Sequence, residues 1–132
     1  MAQFDVIVIG GGPAGYVCAI RAAQLGLATA VVEKDKLGGV CVNIGCIPTK
    51  ALLHSAYAAK LIAHDAKELG IEVGAVKTDY GVAMKRSRKV AEQNSKGPEF
   101  LMKKNKITVL KGTGVLQPGK KVKVGAEVHE AK

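Results

Sequence analysis

Tryptophan is absent from this sequence, and only two phenylalanines and three tyrosines represent the aromatics. That scarcity bears on the charge. The net +9 is carried along Lys85, Arg86, Arg88, Lys89, Lys103, Lys104, Lys106, Lys120, Lys121 and Lys123. Clustered cations can attract a polyanion, but single-strand binding also needs aromatic platforms between them. None are interleaved here, so the charge is read as a solvated face or as contact surface toward the rest of a larger protein, and no nucleic acid partner is expected. Also lacking is an apolar run of the roughly 20 residues that span a bilayer. The opening "MAQFDVIVIGGG" has no basic leader, carries Asp5 inside its apolar run and turns early into glycine, unlike a signal peptide. A soluble protein of a reducing, cytoplasmic compartment is expected, with no membrane partner.

Cysteine is scarce too, at three residues. In a reducing compartment so few thiols point to catalysis, metal binding or core packing more than to a structural cross-link. What is present suffices for a folded body: 132 residues, 48% of them hydrophobic, can bury one core. No repeat or low-complexity segment interrupts it.

The opening third has a definite order. "FDVIVIG" is β-branched and breaks at "GGGPAG"; "YVCAIRAAQLG" has helical spacing and ends at Gly26; "LATAVVEK" is a second apolar run. This is a βαβ unit with parallel strands and a right-handed crossover. Its turn fits G-x-G-x-x-G at Gly10, Gly12 and Gly15. In that geometry the first glycine permits the tight turn, the second lets backbone approach a pyrophosphate, and the third allows helix to pack on strand. The helix start then faces phosphate charge. Glu33 closes the second strand where the fingerprint wants an acid for a ribose. Strand, turn, helix, strand and acid agree, so dinucleotide binding is expected. Cys18, on the helix, is expected to be a buried core thiol.

"GGVCVNIGCIPTK", residues 38–50, follows after a short link. Three readings compete for Cys41 and Cys46: a structural disulfide, half of a metal site, and a redox-active dithiol. In an ideal α-helix their Cα atoms would stand roughly 8.7 Å apart, beyond the ~7 Å limit for a disulfide. Bridging therefore requires a distortion, which Gly45 and Pro48 permit or force, with regular helix expected only afterwards, over 49–70. Zinc needs about four ligands, usually in tighter pairs, and only His54 and His64 are near, His64 being read as a helix-surface residue. A dithiol that cycles through a disulfide is the best remaining account.

Beyond this, residues 71–78 read as loop. "DYGVAMKRSRKVAEQNSK" is helical, Gly97-Pro98 marks an expected break before "EFLMKKNK", "ITVLKGTGVL" is strand-like, and "KKVKVGAEVHEAK" alternates like an exposed hairpin. His129 is placed at a frayed end.

"GGGPAG", Glu33 and "GGVCVNIGCIPTKALL" together resemble the flavin-dependent pyridine nucleotide-disulfide oxidoreductases, strongly over residues 4–60 and more loosely beyond. "IPTKALL" looks more like the members that oxidise dihydrolipoamide than those that act on glutathione or Hg(II). The resemblance implies an α/β, Rossmann-like FAD-binding domain over residues 1–132, with a parallel sheet, a long helical excursion and a small β hairpin. It would be the N-terminal part of a longer architecture with NAD-binding and interface domains. It implies FAD bound at Gly10, Gly12, Pro13, Ala14, Gly15 and Glu33, with Gly39, Val40 and Cys41 along its length. Lys50 would lie beside the flavin ring and Gly114 at the adenine end. Cys46 would be the thiol next to the flavin and Cys41 the one that exchanges with substrate. The implied activity is oxidation of protein-bound dihydrolipoamide with NAD as acceptor. The implied partners are a second copy in a homodimer and the lipoyl domain of a 2-oxo acid dehydrogenase complex or the glycine cleavage system. A related flavin disulfide reductase acting on glutathione, another thiol or Hg(II), and a non-catalytic nucleotide-binding module, are the alternatives.

Overall fold

The computed structural model describes residues 3–132; Met1 and Ala2, where the leader reading begins, lie outside the described residues. β1 (Gln3–Phe4) and β2 (Val6–Ile9) lead to α1 (Pro13–Gln24), then β3 (Thr29–Glu33). α2 (Gly39–Asn43) and α3 (Cys46–Lys60) follow, α3 running into a π-helical turn at Leu61–Asp65. α4 (Tyr80–Lys104) returns the chain to β4 (Thr108–Lys111), and β5 (Gly114–Gln117), β6 (Lys121–Val124) and β7 (Glu127–Ala131) close it.

The β-branched runs form a three-stranded parallel sheet in the order β2-β3-β4. β3 is its centre, with Thr29, Ala30, Val31 and Val32 all buried. Alternation along a strand sends neighbours to opposite faces. Val31 packs with Ala19, Leu37, Met102 and Ile107 on the helical side, while Val32 meets Val122 and Val124 of a second sheet. Each such valine contributes roughly 1.5–3 kcal/mol when fully buried. The molecule is thus layered as helices, parallel sheet and a second sheet ordered β1-β7-β6-β5. The expected hairpin is present as β6 and β7, but it is enlarged by antiparallel β5 and parallel β1.

Three helix ends share one device. At Gly26, Gly70 and Lys106 the backbone turns left-handed (φ 86°, 72° and 56°), and two crossed bonds satisfy the last carbonyls. Gly26 and Leu27 donate to Ala23 and Ala22, Gly70 and Ile71 to Lys67 and Ala66, and Lys106 and Ile107 to Lys103 and Met102. These are Schellman caps, for which glycine is the favoured residue; the third uses lysine.

Several expectations need correction. α4 runs unbroken through Gly97-Pro98. An interior proline costs a helix about 3 kcal/mol, but Ser87, Ala91, Ser95, Pro98 and Met102 form one buried stripe, and tertiary packing carries the helix past the lost bond. The run 107–116 is two strands in different sheets, turned at Gly112 (φ 146°). α3 begins at Cys46 rather than after Pro48, because proline in a first turn removes only an N–H that has no helical partner. Its regular part ends at Lys60, not 70. Cys18 is exposed, on the outer side of α1. His129 is not frayed: it is 4% exposed within β7 and packs near Phe4, ring centroids 6.2 Å apart.

Candidate active site

The site begins where β2 ends. Gly10 adopts φ 103° and donates its N–H to the Val32 carbonyl at 2.8 Å, fastening the turn to the central strand. A Cβ at Gly15 would strike the Gly10 carbonyl oxygen, whereas one at Gly12 would meet nothing within 4 Å. So Gly15 is required by helix-on-turn packing, and Gly12 lies beneath open space. No side chain caps α1, and Pro13 sits at its start. The N–H groups of such an end, with the helix dipole behind them, suit a phosphate. Ala14 lies exposed in the same first turn.

Glu33 braces this turn. Its Oε2 accepts the Gly11 N–H at 2.7 Å and its Oε1 accepts the Asp35 N–H at 2.8 Å. Each carboxylate oxygen keeps a further lone-pair direction. Gly38 continues the stitching by donating to the Gly11 carbonyl at 2.8 Å. A Cβ on Gly39 would come within 2.9 Å of the Gly12 Cα, so the chain carrying the cysteines lies directly against the glycine turn.

From that contact α2 runs through Val40 and Cys41 to Asn43. Its helical course stops at Ile44 (φ −137°) and Gly45 (φ −119°, ψ −109°), and α3 starts at Cys46. Gly45 sits so close over α2 that a Cβ there would lie 2.9 Å from the Val40 oxygen. This is the distortion the spacing demanded, placed at Gly45 without Pro48. It brings the Cys41 and Cys46 Cα atoms to 4.6 Å, and the sulfurs are joined in a disulfide. Bonded to each other, they are not zinc ligands in this state. Cys41 is half-buried and Cys46 exposed; a disulfide open to solvent at a helix start is accessible to an attacking thiolate.

A family model described as pyridine nucleotide-disulphide oxidoreductase matches residues 4–132. The chain belongs to that family. Within it, the chain is 59% identical over 114 residues to a dihydrolipoyl dehydrogenase of Mycobacterium tuberculosis, covering 86% of this chain and 24% of that protein. Against the dihydrolipoyl dehydrogenase of Chlorobaculum parvum the identity is 54% over 126 residues, 96% of this chain and 27% of that protein. A dihydrolipoamide dehydrogenase of Chaetomium thermophilum is 48% identical over 124 residues, 93% and 25% of the two chains. The chain spans about a quarter of the length of these curated relatives.

The remaining positions singled out in the sequence are less tightly gathered. Lys50 is exposed on α3, one helical turn beyond Cys46. Gly114 opens β5, where a Cβ would press on Ile9 and Val32 at 3.1 and 3.2 Å; close packing beneath β2 and β3 explains the glycine. A cleft of about 1000 Å³ on the α4 side reaches Glu33, Leu37, Gly39 and Lys111, but not the Gly10–Gly12 turn. Sequence reasoning missed Gly11, Gly38 and Asn43. The glycine doublets signalled the first two; nothing local signalled that the Asn43 amide donates to the carbonyls of Leu37 and Gly39 at 3.1 and 2.9 Å. Among the described residues no helix is long and apolar enough to cross a membrane.

Proposed function

We propose that this chain is the FAD-binding part of an enzyme that oxidises protein-bound dihydrolipoamide, with NAD as final acceptor and the Cys41–Cys46 pair as the redox disulfide. The single observation behind the proposal is the continuity of the site: the disulfide follows two residues after Gly39, whose backbone lies against Gly12. The pyrophosphate of FAD would lie over Gly10, Gly12, Pro13, Ala14 and Gly15, with its ribose at Glu33 and its adenine end toward Gly114. Gly39, Val40 and Cys41 would flank it on the way to Lys50 and the ring. The open space above Gly12 and the uncapped helix start fit such a group. Similarity to the dihydrolipoyl dehydrogenases supports the substrate class.

The chain's own chemistry is thiol–disulfide exchange. A substrate thiolate attacks the Cys41 sulfur; the Cys41–Cys46 bond breaks, a mixed disulfide forms and Cys46 leaves as thiolate. The second substrate thiolate then attacks the substrate sulfur of that mixed disulfide, closing lipoamide and releasing Cys41. Two electrons have passed from substrate to the cysteine pair. FAD, when bound, supplies the two-electron acceptor beside Cys46. Lys50 would place a positive charge near both groups. The intact enzyme would be a cytoplasmic homodimer that meets the lipoyl domain of a 2-oxo acid dehydrogenase complex or the glycine cleavage system. NAD-binding and interface domains would lie outside these residues.

The test is turnover by the intact protein. Dihydrolipoamide should support NAD reduction, and Cys41→Ser and Cys46→Ser should each abolish it, since one thiol cannot close the internal disulfide. Turnover with glutathione disulfide or Hg(II) but not dihydrolipoamide would move the enzyme to a neighbouring substrate class. Full lipoamide activity in either variant would remove the pair from catalysis.

A further inference from the structure

α2 is a five-residue helix, far shorter than the roughly 12–15 residues at which an isolated helix becomes marginally stable. It nevertheless carries Cys41. At its start stand two successive left-handed residues, Gly38 (φ 92°) as its cap and Gly39 (φ 57°) as its first residue, and behind it the chain breaks from helical geometry at Ile44 and Gly45. Neither flank continues as helix, so the orientation of Cys41 depends on what pins this one turn. Among the described residues a single side chain makes hydrogen bonds across it. The Asn43 amide donates to the Gly39 carbonyl at 2.9 Å, within the helix, and to the Leu37 carbonyl at 3.1 Å, before the left-handed pair. Both acceptors are carbonyls, which only the NH2 side of an amide can satisfy. The Leu37 carbonyl receives a second, longer bond from the buried Ser95 hydroxyl of α4 at 3.5 Å. Val42 packs into the space left by the missing Cβ of Gly38, where any larger residue would come within 2.7 Å of it.

The geometry points to Asn43 as a positioning residue for the redox disulfide: by clamping the Gly38–Gly39 turn it holds Cys41 opposite Cys46 when the bond between them is open. The inference rests on the reading of the pair as redox-active. Holding two thiols in place raises their effective concentration toward each other, which favours the disulfide over the dithiol. Removing the clamp should leave the oxidised form intact, loosen the reduced form and make the disulfide easier to reduce.

The test is the equilibrium between the pair and glutathione buffers in the intact protein, with the Cys41–Cys46 state read by alkylation and mass spectrometry. Asn43→Asp replaces the donor by an acceptor facing two carbonyls, and Asn43→Ala removes it. Both should lower the equilibrium constant for disulfide formation about tenfold, a shift of about +30 mV for a two-electron couple. Ser95→Ala is the control, because it weakens the α4 contact to the same Leu37 carbonyl while leaving the amide bonds in place. It should lower thermal stability without moving the potential. An unchanged potential in the Asn43 variants, or a shift matched by Ser95→Ala at equal loss of stability, overturns the proposal. So does failure of both Asn43 variants to fold, which would make the residue a determinant of the fold instead. A wild-type pair that no dithiol buffer reduces would refute the redox reading itself and the proposal with it; a reducible pair indifferent to residue 43 refutes the proposal alone.

Discussion

Glycines of one motif fail in different ways when given a side chain. At Gly15 an added methyl has the Gly10 carbonyl in its path, and overpacking of this kind costs roughly 1–3 kcal/mol. At Gly12 the methyl enters open space with a backbone (φ −69°, ψ −177°) that alanine adopts freely. Gly12→Ala should therefore change the unfolding free energy in urea by no more than about 0.5 kcal/mol, yet weaken FAD binding by equilibrium titration; Gly15→Ala should lose stability with or without FAD. Equal stability losses would remove the distinction. Glu33 makes a similar separation. Because its carboxylate already holds the Gly11 and Asp35 N–H groups, Glu33→Ala should cost the cofactor-free protein about 1.5–3 kcal/mol, in addition to reducing FAD retention. The tight turn at Gly10 and the close packing at Gly15 were legible because their demands are local. The bond from Gly11 to Glu33 was not, since only the fold brings that carboxylate near, and Asn43 was not, since the Leu37 carbonyl comes within its reach only through the left-handed turn at Gly38 and Gly39.

Elements end and persist here for reasons of differing visibility. Gly26 announced its helix end, while Lys106 performs the same left-handed turn as Gly26 and Gly70 without glycine's freedom. Lys106→Gly should stabilise the protein by about 0.5–1 kcal/mol, measured by denaturant unfolding; a loss would mean that the lysine side chain contributes more than its backbone costs. Pro98 shows the opposite case. The dipeptide promised a break, but a buried stripe along α4 outweighs a local preference, and burial on that face cannot be read from the dipeptide. Between β1 and β2, Asp5 accepts the Ala28 N–H at 2.7 Å and pairs with Lys132 at 2.7 Å. The Lys132 ammonium foremost, then the Ala28 N–H, holds the Asp5 carboxyl below its ordinary 3.8, and Asp5 raises the Lys132 ammonium above 10.5. The carboxylate's stabilisation is therefore present above pH 3.8 and lost as pH falls through the lowered folded value. The ammonium's is present below pH 10.5 and lost as pH rises through the raised one. Both effects are small, as the Lys132 ammonium is exposed and water screens the pair. Asp5→Asn should flatten both limbs of a stability–pH profile relative to wild type.

Across the whole molecule, the parallel unit was readable because its strands are short apolar runs separated by a glycine turn and a capped helix. The second sheet was only half readable: its hairpin alternates visibly, but β5 was hidden in a run continuous with β4, and the two-residue β1 has no periodicity to detect. Yet β1 is what ties the two ends of the fold together, since Gln3 and Phe4 pair with Glu130 and Ala131. That pairing sets a timetable for the chain as it leaves a ribosome. β2, α1 and β3 can assemble once Glu33 has emerged, because their contacts are near in sequence. The first strand must wait unpaired until β7 is synthesised, and closing so long a loop comes at the full entropic cost of the intervening chain. Residues that precede every other strand of this fold are thus among the last to find their place, and in that interval their backbone is an open edge to which a chaperone or another nascent chain can pair.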